Sequence, residues 1–146
     1  MRFIQITFCF LFTIFSCKSS DNKLLNDNRE KRFLIPVFQY SLYDREKNLK
    51  MTKSFAQEWT EVSGFGYFIK DKKIAEDTLR SGSLIPSTNY SIDCEFHEPG
   101  AKVVLVCKLK DLENGEIIAS DSFQGKDITQ IESGLRSIAK NLYSNN

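Results

Sequence analysis

From Tyr90 to Leu109 apolar and polar side chains alternate almost residue by residue, and that two-residue period constrains the fold more than any other feature of the chain. Tyr90, Ile92, Cys94 and Phe96 fall on one side, and Ser91, Asp93, Glu95 and His97 on the other. After the turn Glu98-Pro99-Gly100-Ala101, the residues Val103, Leu105, Cys107 and Leu109 form the inward set of the next run. Only an extended strand separates neighbours this way, so the stretch predicts two strands of a sheet with one buried face. That face needs an apolar layer over it. Ile131, Leu135, Ile138, Ala139 and Leu142 supply one at helical spacing, behind a capping-box-like start made by Asp127 and Gln130. Glu132, Arg136 and Lys140 line the opposite, wet side of the same helix.

Register decides two further points. A two-residue turn at Asn114-Gly115 would set Leu109 against Ser120 and Leu105 against Gln124, apolar against polar. A longer loop with Gly115 in the left-handed position sets Leu109 against Ala119 and Leu105 against Phe123, which burial favours. In the preceding hairpin, a turn centred on Pro99-Gly100 sets Cys94 opposite Leu105 and Cys107 opposite Ile92. The cysteines are then diagonal neighbours, roughly 7 to 8 Å apart and beyond the usual disulfide span of about 4.4 to 6.8 Å, so two buried free thiols are expected.

In the first half, Phe33-Leu34-Ile35-Pro36-Val37-Phe38 is apolar on both faces and reads as a strand covered on two sides, with one side locally unpaired at Pro36. Met51, Phe55, Ala56, Trp59 and Val62 give a helix from about Arg45 to Val62 that Gly64 closes, with Trp59 filling the core. Phe65 to Ile69 reads as a strand. Asp71 is placed to cap a short helix through Ile74, Ala75 and Leu79, ended by Gly82. The order β-α-β-α-β-β-β-α predicts an α/β fold, a small layered domain with a mixed sheet of about five strands.

Ahead of this domain, Arg2 and the apolar run Phe3 to Phe15 form a leader, and small Ser16 precedes Cys17. The run is too short for a membrane-spanning helix, which needs about 20 apolar residues. Residues 1–16 are read as a lipoprotein signal peptide. Residues 17–32 are read as a lipidated Cys17 plus a disordered tether whose only apolar pair is Leu24-Leu25, and residues 33–146 as a single α/β domain. A tether of that length spans about 50 Å when extended. Without the leader, which carries one basic residue and no acidic one, the balance moves from 20 basic against 19 acidic residues to 19 against 19. A near-neutral chain does not suit nucleic acid or anionic lipid as the dominant partner.

Ile14-Phe15-Ser16-Cys17 resembles the bacterial lipobox, in which the cysteine becomes the lipidated first residue. The run from Val103 to Ser120, with Asp111-Leu112-Glu113-Asn114-Gly115-Glu116 at its turn and an amphipathic helix after it, resembles a domain shared by three envelope proteins. These are the curli secretion channel, the lipoprotein activators of penicillin-binding proteins, and the amino-terminal domain of the Tol-system propeller protein. Phe33 to Phe38, a helix, and Gly66-Tyr67-Phe68-Ile69 are similar to the opening elements of that group. The resemblance implies the fold and a binding role in the envelope. Two departures stand out: no loop is long enough for the curli channel's membrane-inserting hairpins, and the tether is short beside that of the synthase activators.

A single histidine, His97, leaves no two-histidine metal site, and Asp93, Glu95 and His97 on one strand face read as an exposed polar edge. No nucleophile elbow, phosphate loop or paired-carboxylate motif is present in the sequence, so neither catalysis nor a cofactor is expected. Tyr40 and Tyr43, in a loop expected to face outward, are the candidate partner contacts. The reading is a lipoprotein held to the membrane through Cys17 that binds an envelope protein or its own copies. Lys18 after the cysteine points to the outer membrane, and the periplasmic face is the expected side. The alternative is a surface-exposed adhesin or host-contact factor.

Overall fold

The computed structural model describes residues 23–26, 31–71 and 88–146. The elements are α1 (Lys23–Asn26), β1 (Arg32–Pro36), α2 (Arg45–Ser63), β2 (Gly66–Lys70), β3 (Thr88–His97), β4 (Val103–Asp111), β5 (Ile117–Gly125) and α3 (Ile128–Ser144). The five strands form one sheet in the order β2-β1-β3-β4-β5, parallel across β2, β1 and β3 and antiparallel from β3 to β5. The mixed α/β layering expected from the pattern is what the chain adopts. The short helix expected from Asp71 to Gly82 lies, beyond Asp71 itself, outside the described residues.

Local chemistry explains each boundary. Asp44 caps α2 by accepting the Lys47 N–H at 2.8 Å, and Gly64 ends it with φ 76°, a left-handed conformation that suits glycine. At α3, Asp127 accepts the Gln130 N–H at 3.0 Å while Gln130 Oε1 accepts the Lys126 N–H at 2.8 Å. β1 pairs with β2 as far as Pro36↔Lys70 but with β3 only as far as Leu34↔Ser91, so the side of Pro36 that has no donor is the side without a ladder.

The two helices share one face of the sheet and pack against one another. Between sheet and helices sit Phe33, Trp59, Tyr90, Ile92, Leu105, Leu109, Leu135 and Ile138, all essentially buried. Phe33 is the hub, with ring centroids 4.9 Å from Trp59, 5.5 Å from Phe65 and 5.3 Å from Tyr90. α3 approaches the sheet at Gly134, where an added Cβ would lie 2.6 Å from the Phe123 ring. The reverse sheet face is polar at its meander end, where Lys110 Nζ meets Asp93 Oδ2 at 2.7 Å.

Three expectations are corrected. The β3–β4 register pairs Cys94 with Cys107, not with Leu105, because the turn runs through Pro99–Lys102 with Gly100 left-handed at φ 68°. The cysteines therefore face each other with Cα atoms 4.1 Å apart and form a disulfide, where free thiols were expected. Within the stretch read as a tether, Lys23–Asn26 is one turn of helix, and Leu24 is fully buried in the core. Tyr40, expected to face outward, is buried as well, its amide N–H held by Asn48 of α2. The β4–β5 register is as expected, with Leu109↔Ala119, Leu105↔Phe123 and Gly115 left-handed at φ 73°.

Candidate functional site

The site lies at the end of the domain where β1 exits and both long helices begin. The connection from β1 to α2 cannot leave the surface, because α2 reels it in with two polar side chains. Thr52 Oγ1 accepts the Phe38 N–H at 2.8 Å, and Asn48 Oδ1 accepts the Tyr40 N–H at 2.9 Å. Asn48 Nδ2 in turn donates to the Tyr40 carbonyl at 3.3 Å and the Tyr43 carbonyl at 3.2 Å. A helix side chain here performs the work of a missing strand, and the backbone it satisfies becomes burial-competent.

The consequence for Tyr40 is burial to 5% exposure, its ring 5.1 Å from Phe96 and 5.3 Å from Tyr43. Burial pushes its hydroxyl above the usual tyrosine range, and the hydrogen bond and negative charge of Glu98 add to the push. Tyr43 keeps part of its ring in water. Its hydroxyl donates to Glu132 Oε1 at 3.3 Å, joining the start of α2 to the start of α3, and burial followed by the Glu132 charge raises its pKa too. Lys47 Nζ lies 5.7 Å from the Tyr43 ring centroid.

Between these helix starts runs a groove of about 320 Å³. Met51 and Leu135 form an apolar floor, the Tyr43–Glu132 pair closes one side, and Lys47, Lys50 and Ser54 form the other rim. A shallower depression continues outward along α2 past Asp44, Glu46, Leu49 and Lys53. Lys47, Lys50 and Lys53 recur at three-residue spacing on this exposed side of α2. An apolar floor beside a row of ammonium groups has the chemistry to receive a segment that offers an apolar side chain and an acidic one.

The other residues singled out in the sequence lie elsewhere. Asp93 is engaged by Lys110, while Glu95 and His97 are exposed on the reverse sheet face, remote from the groove floor. Among the described residues no three metal-ligating side chains converge. Trp59 is wholly in the core, as expected. Cys17 lies outside the described residues. The sequence pattern does not mark Lys47, Lys50, Met51, Glu132 and Leu135 as a set, since Met51 and Leu135 read as core, Glu132 as the wet side of its helix, and Lys47 and Lys50 belong to no motif. The visible signal was Asn48, a polar residue within the buried stripe that continues through Met51, Thr52, Phe55 and Trp59.

No family model and no curated protein matches the chain. Solved structures do. PelC from Paraburkholderia phytofirmans, crystallised as a dodecamer, matches with a TM-score of 0.51 at 14% identity, over 79% of this chain and 88% of that one. TolB from Acinetobacter baumannii matches with a TM-score of 0.50 at 10% identity, over 82% of this chain and 28% of that one. The C-terminal domain of LpoB from Salmonella enterica matches with a TM-score of 0.40 at 14% identity, over 74% of this chain and 93% of that one. At such identities the PelC and TolB likenesses are likenesses of fold alone, and the TolB likeness agrees with the fold that the strand, turn and helix pattern implied.

Proposed function

We propose that the chain is a membrane-anchored envelope lipoprotein, lipidated on Cys17, whose α/β domain is a non-catalytic module that binds another envelope protein or copies of itself. The leader supports the anchor: an arginine, a short apolar run, and Ile14-Phe15-Ser16-Cys17. The observation that carries the binding role is the groove between α2 and α3, with its Met51–Leu135 floor and its Lys47–Lys50 rim. The shared fold with PelC, whose crystals hold a dodecamer, supports self-assembly as one form of that binding. Bridged Cys94 and Cys107 suit an oxidising compartment outside the cytoplasm.

A photo-crosslinking residue in place of Lys50 tests the binding role in intact cells. The expectation is a discrete higher-mass adduct from this position and none from Ser122 on the reverse sheet face. Absence of any adduct at Lys50, or equal adducts at both positions, would sink it. For the anchor, Cys17→Ala should move the protein to the soluble fraction, and undiminished membrane retention would overturn the lipoprotein assignment. Loss of the domain on protease treatment of intact cells would replace the periplasmic placement with surface exposure.

A further inference from the structure

The turn of helix ahead of β1 is fastened at the end of the domain opposite the groove. Leu24 is fully buried, its amide N–H donates to Asn146 Oδ1 at 3.1 Å, and Lys23 Nζ meets Glu116 Oε2 at 2.5 Å. Glu116 belongs to the β4–β5 turn, and Asn146 follows α3. The groove, by contrast, uses Glu132 and Leu135 from the first turns of α3. At about 1.5 Å per residue, α3 alone separates Glu132 from Asn146 by roughly 20 Å. β4, which runs from the groove end to the turn end, spans about 30 Å.

Cys17 precedes Lys23 by six residues, a reach of roughly 20 Å at full extension. That is less than half the reach of a tether running to residue 32, and it starts from the turn end. The same end carries Ile117, 51% exposed and, among the described residues, one of two large apolar side chains left in water; the other, Leu42 at 75%, is at the groove end. An exposed isoleucine beside the anchoring point fits the interfacial layer of a bilayer, where burial of apolar surface is favourable. Lys23 neutralises the neighbouring Glu116, so that carboxylate does not oppose approach to a lipid surface.

We propose that the β4–β5 turn end is the membrane-facing surface of the protein, touching lipid through Ile117, with Leu24 as the latch that fixes this orientation. The groove between α2 and α3 is thereby presented away from the membrane. The inference rests on lipidation of Cys17 as proposed above, and its test separates the two. Full-length protein made with its leader is checked for acyl mass on Cys17. It is then placed in phosphatidylcholine vesicles that carry a headgroup-level quenching lipid. A fluorescent amino acid replaces Glu113 in the turn or Leu42 at the groove end, leaving the bridged cysteines untouched.

The expected result is strong quenching at Glu113 and, at Leu42, no more than a Cys17→Ala protein shows with the same vesicles. Ile117→Ser should reduce the quenching at Glu113. Leu24→Asp should abolish the difference between the two positions, and Lys23→Glu, which spares the core, should diminish it. Equal quenching at both positions in acylated protein, or stronger quenching at Leu42, overturns the orientation while leaving the anchor intact. A difference that persists undiminished in both latch variants overturns the role of Leu24. A chain without acyl mass overturns the anchor and the orientation with it.

Discussion

The two ends of the domain close their layers by different means. At the groove end, α2 ties down its own approach through Asn48 and Thr52, so the polar groups that hold Tyr40 and Phe38 belong to an element already in the core. At the latch end, the last turn of α3 is finished from outside. Asn146 Nδ2 donates to the Leu142 and Tyr143 carbonyls while its Oδ1 accepts the N–H of Leu24, which arrives from before β1. One end is built into the cooperative unit, and the other is a docked piece of chain. A docked piece should leave without unfolding the domain, whereas the groove loop should open only with it.

Truncating a leucine at each end tests that difference most severely. Leu135→Ala, at the groove floor, should cost about 2 to 5 kcal/mol of global stability, because the walls of its cavity are fixed by two helices and the sheet. Leu24→Ala removes an equally buried side chain, yet α1 can undock, so its cost is capped by the free energy of docking. Denaturant midpoints should fall far more for Leu135→Ala. Amide exchange of Leu24 should accelerate in Leu24→Ala while that of Leu109 stays slow. Equal losses of midpoint would show that α1 is an integral part of the core and break the comparison.

The Cys94–Cys107 bridge closes a separation of 13 residues near the groove end and should contribute roughly 3 kcal/mol. Beyond that bridge the β3–β4 turn reaches the groove loop, where Ser41 Oγ contacts Glu98 Oε2 at 3.5 Å. Reduction should therefore lower the melting temperature and raise exchange around Tyr40 before it affects Leu24. Asn48→Ala removes three hydrogen bonds and leaves the Tyr40 N–H buried without its acceptor, for a loss of about 1 to 3 kcal/mol. Its distinguishing readout is Tyr40, which should become accessible to a tyrosine-modifying reagent. Tyr40 protected to the wild-type extent would mean that ring packing on Phe96, not Asn48, holds the loop.

The sheet was legible where sidedness decides and illegible where it does not. At the β4–β5 turn a one-residue change of register would have set apolar against polar, so burial selected the observed pairing through Gly115. At the β3–β4 turn the competing registers differ by two in pairing partner, which leaves every side chain on its own face. Hydrophobic alternation is blind to such a shift. Two chemical signals separated the choices: the observed pairing sets Cys94 against Cys107 and Asp93 against Lys108, where the other sets Asp93 against Val106. The latch and the groove were hidden for a related reason. Leu24 and Asn146 lie 122 residues apart, and Met51 with Leu135 reads as ordinary stripe until two helices are set side by side.

The smallest expected effects lie in pH, and they separate the two ends by sign. At the groove end, burial holds the Tyr40 and Tyr43 hydroxyls above the ordinary value of 10.0. Both tyrosines favour their neutral form when folded, so their stabilisation is complete below pH 10 and is lost as pH rises toward the folded values. At the latch end the hydrogen bond from Lys23 holds the Glu116 carboxyl below its ordinary value of 4.5. Glu116 therefore stabilises the docked state above pH 4.5, and this contribution fades as pH falls through the lowered value. The pair is solvent-exposed, so the effect is small and diminishes further in salt. Leu24 amide exchange measured from neutral pH down to the acid side, and corrected for the intrinsic rate, should show opening of the latch with the groove still closed. In Glu116→Gln this acid-linked opening should disappear. An opening that keeps the same pH dependence in that variant would assign it to another group and detach Glu116 from the latch.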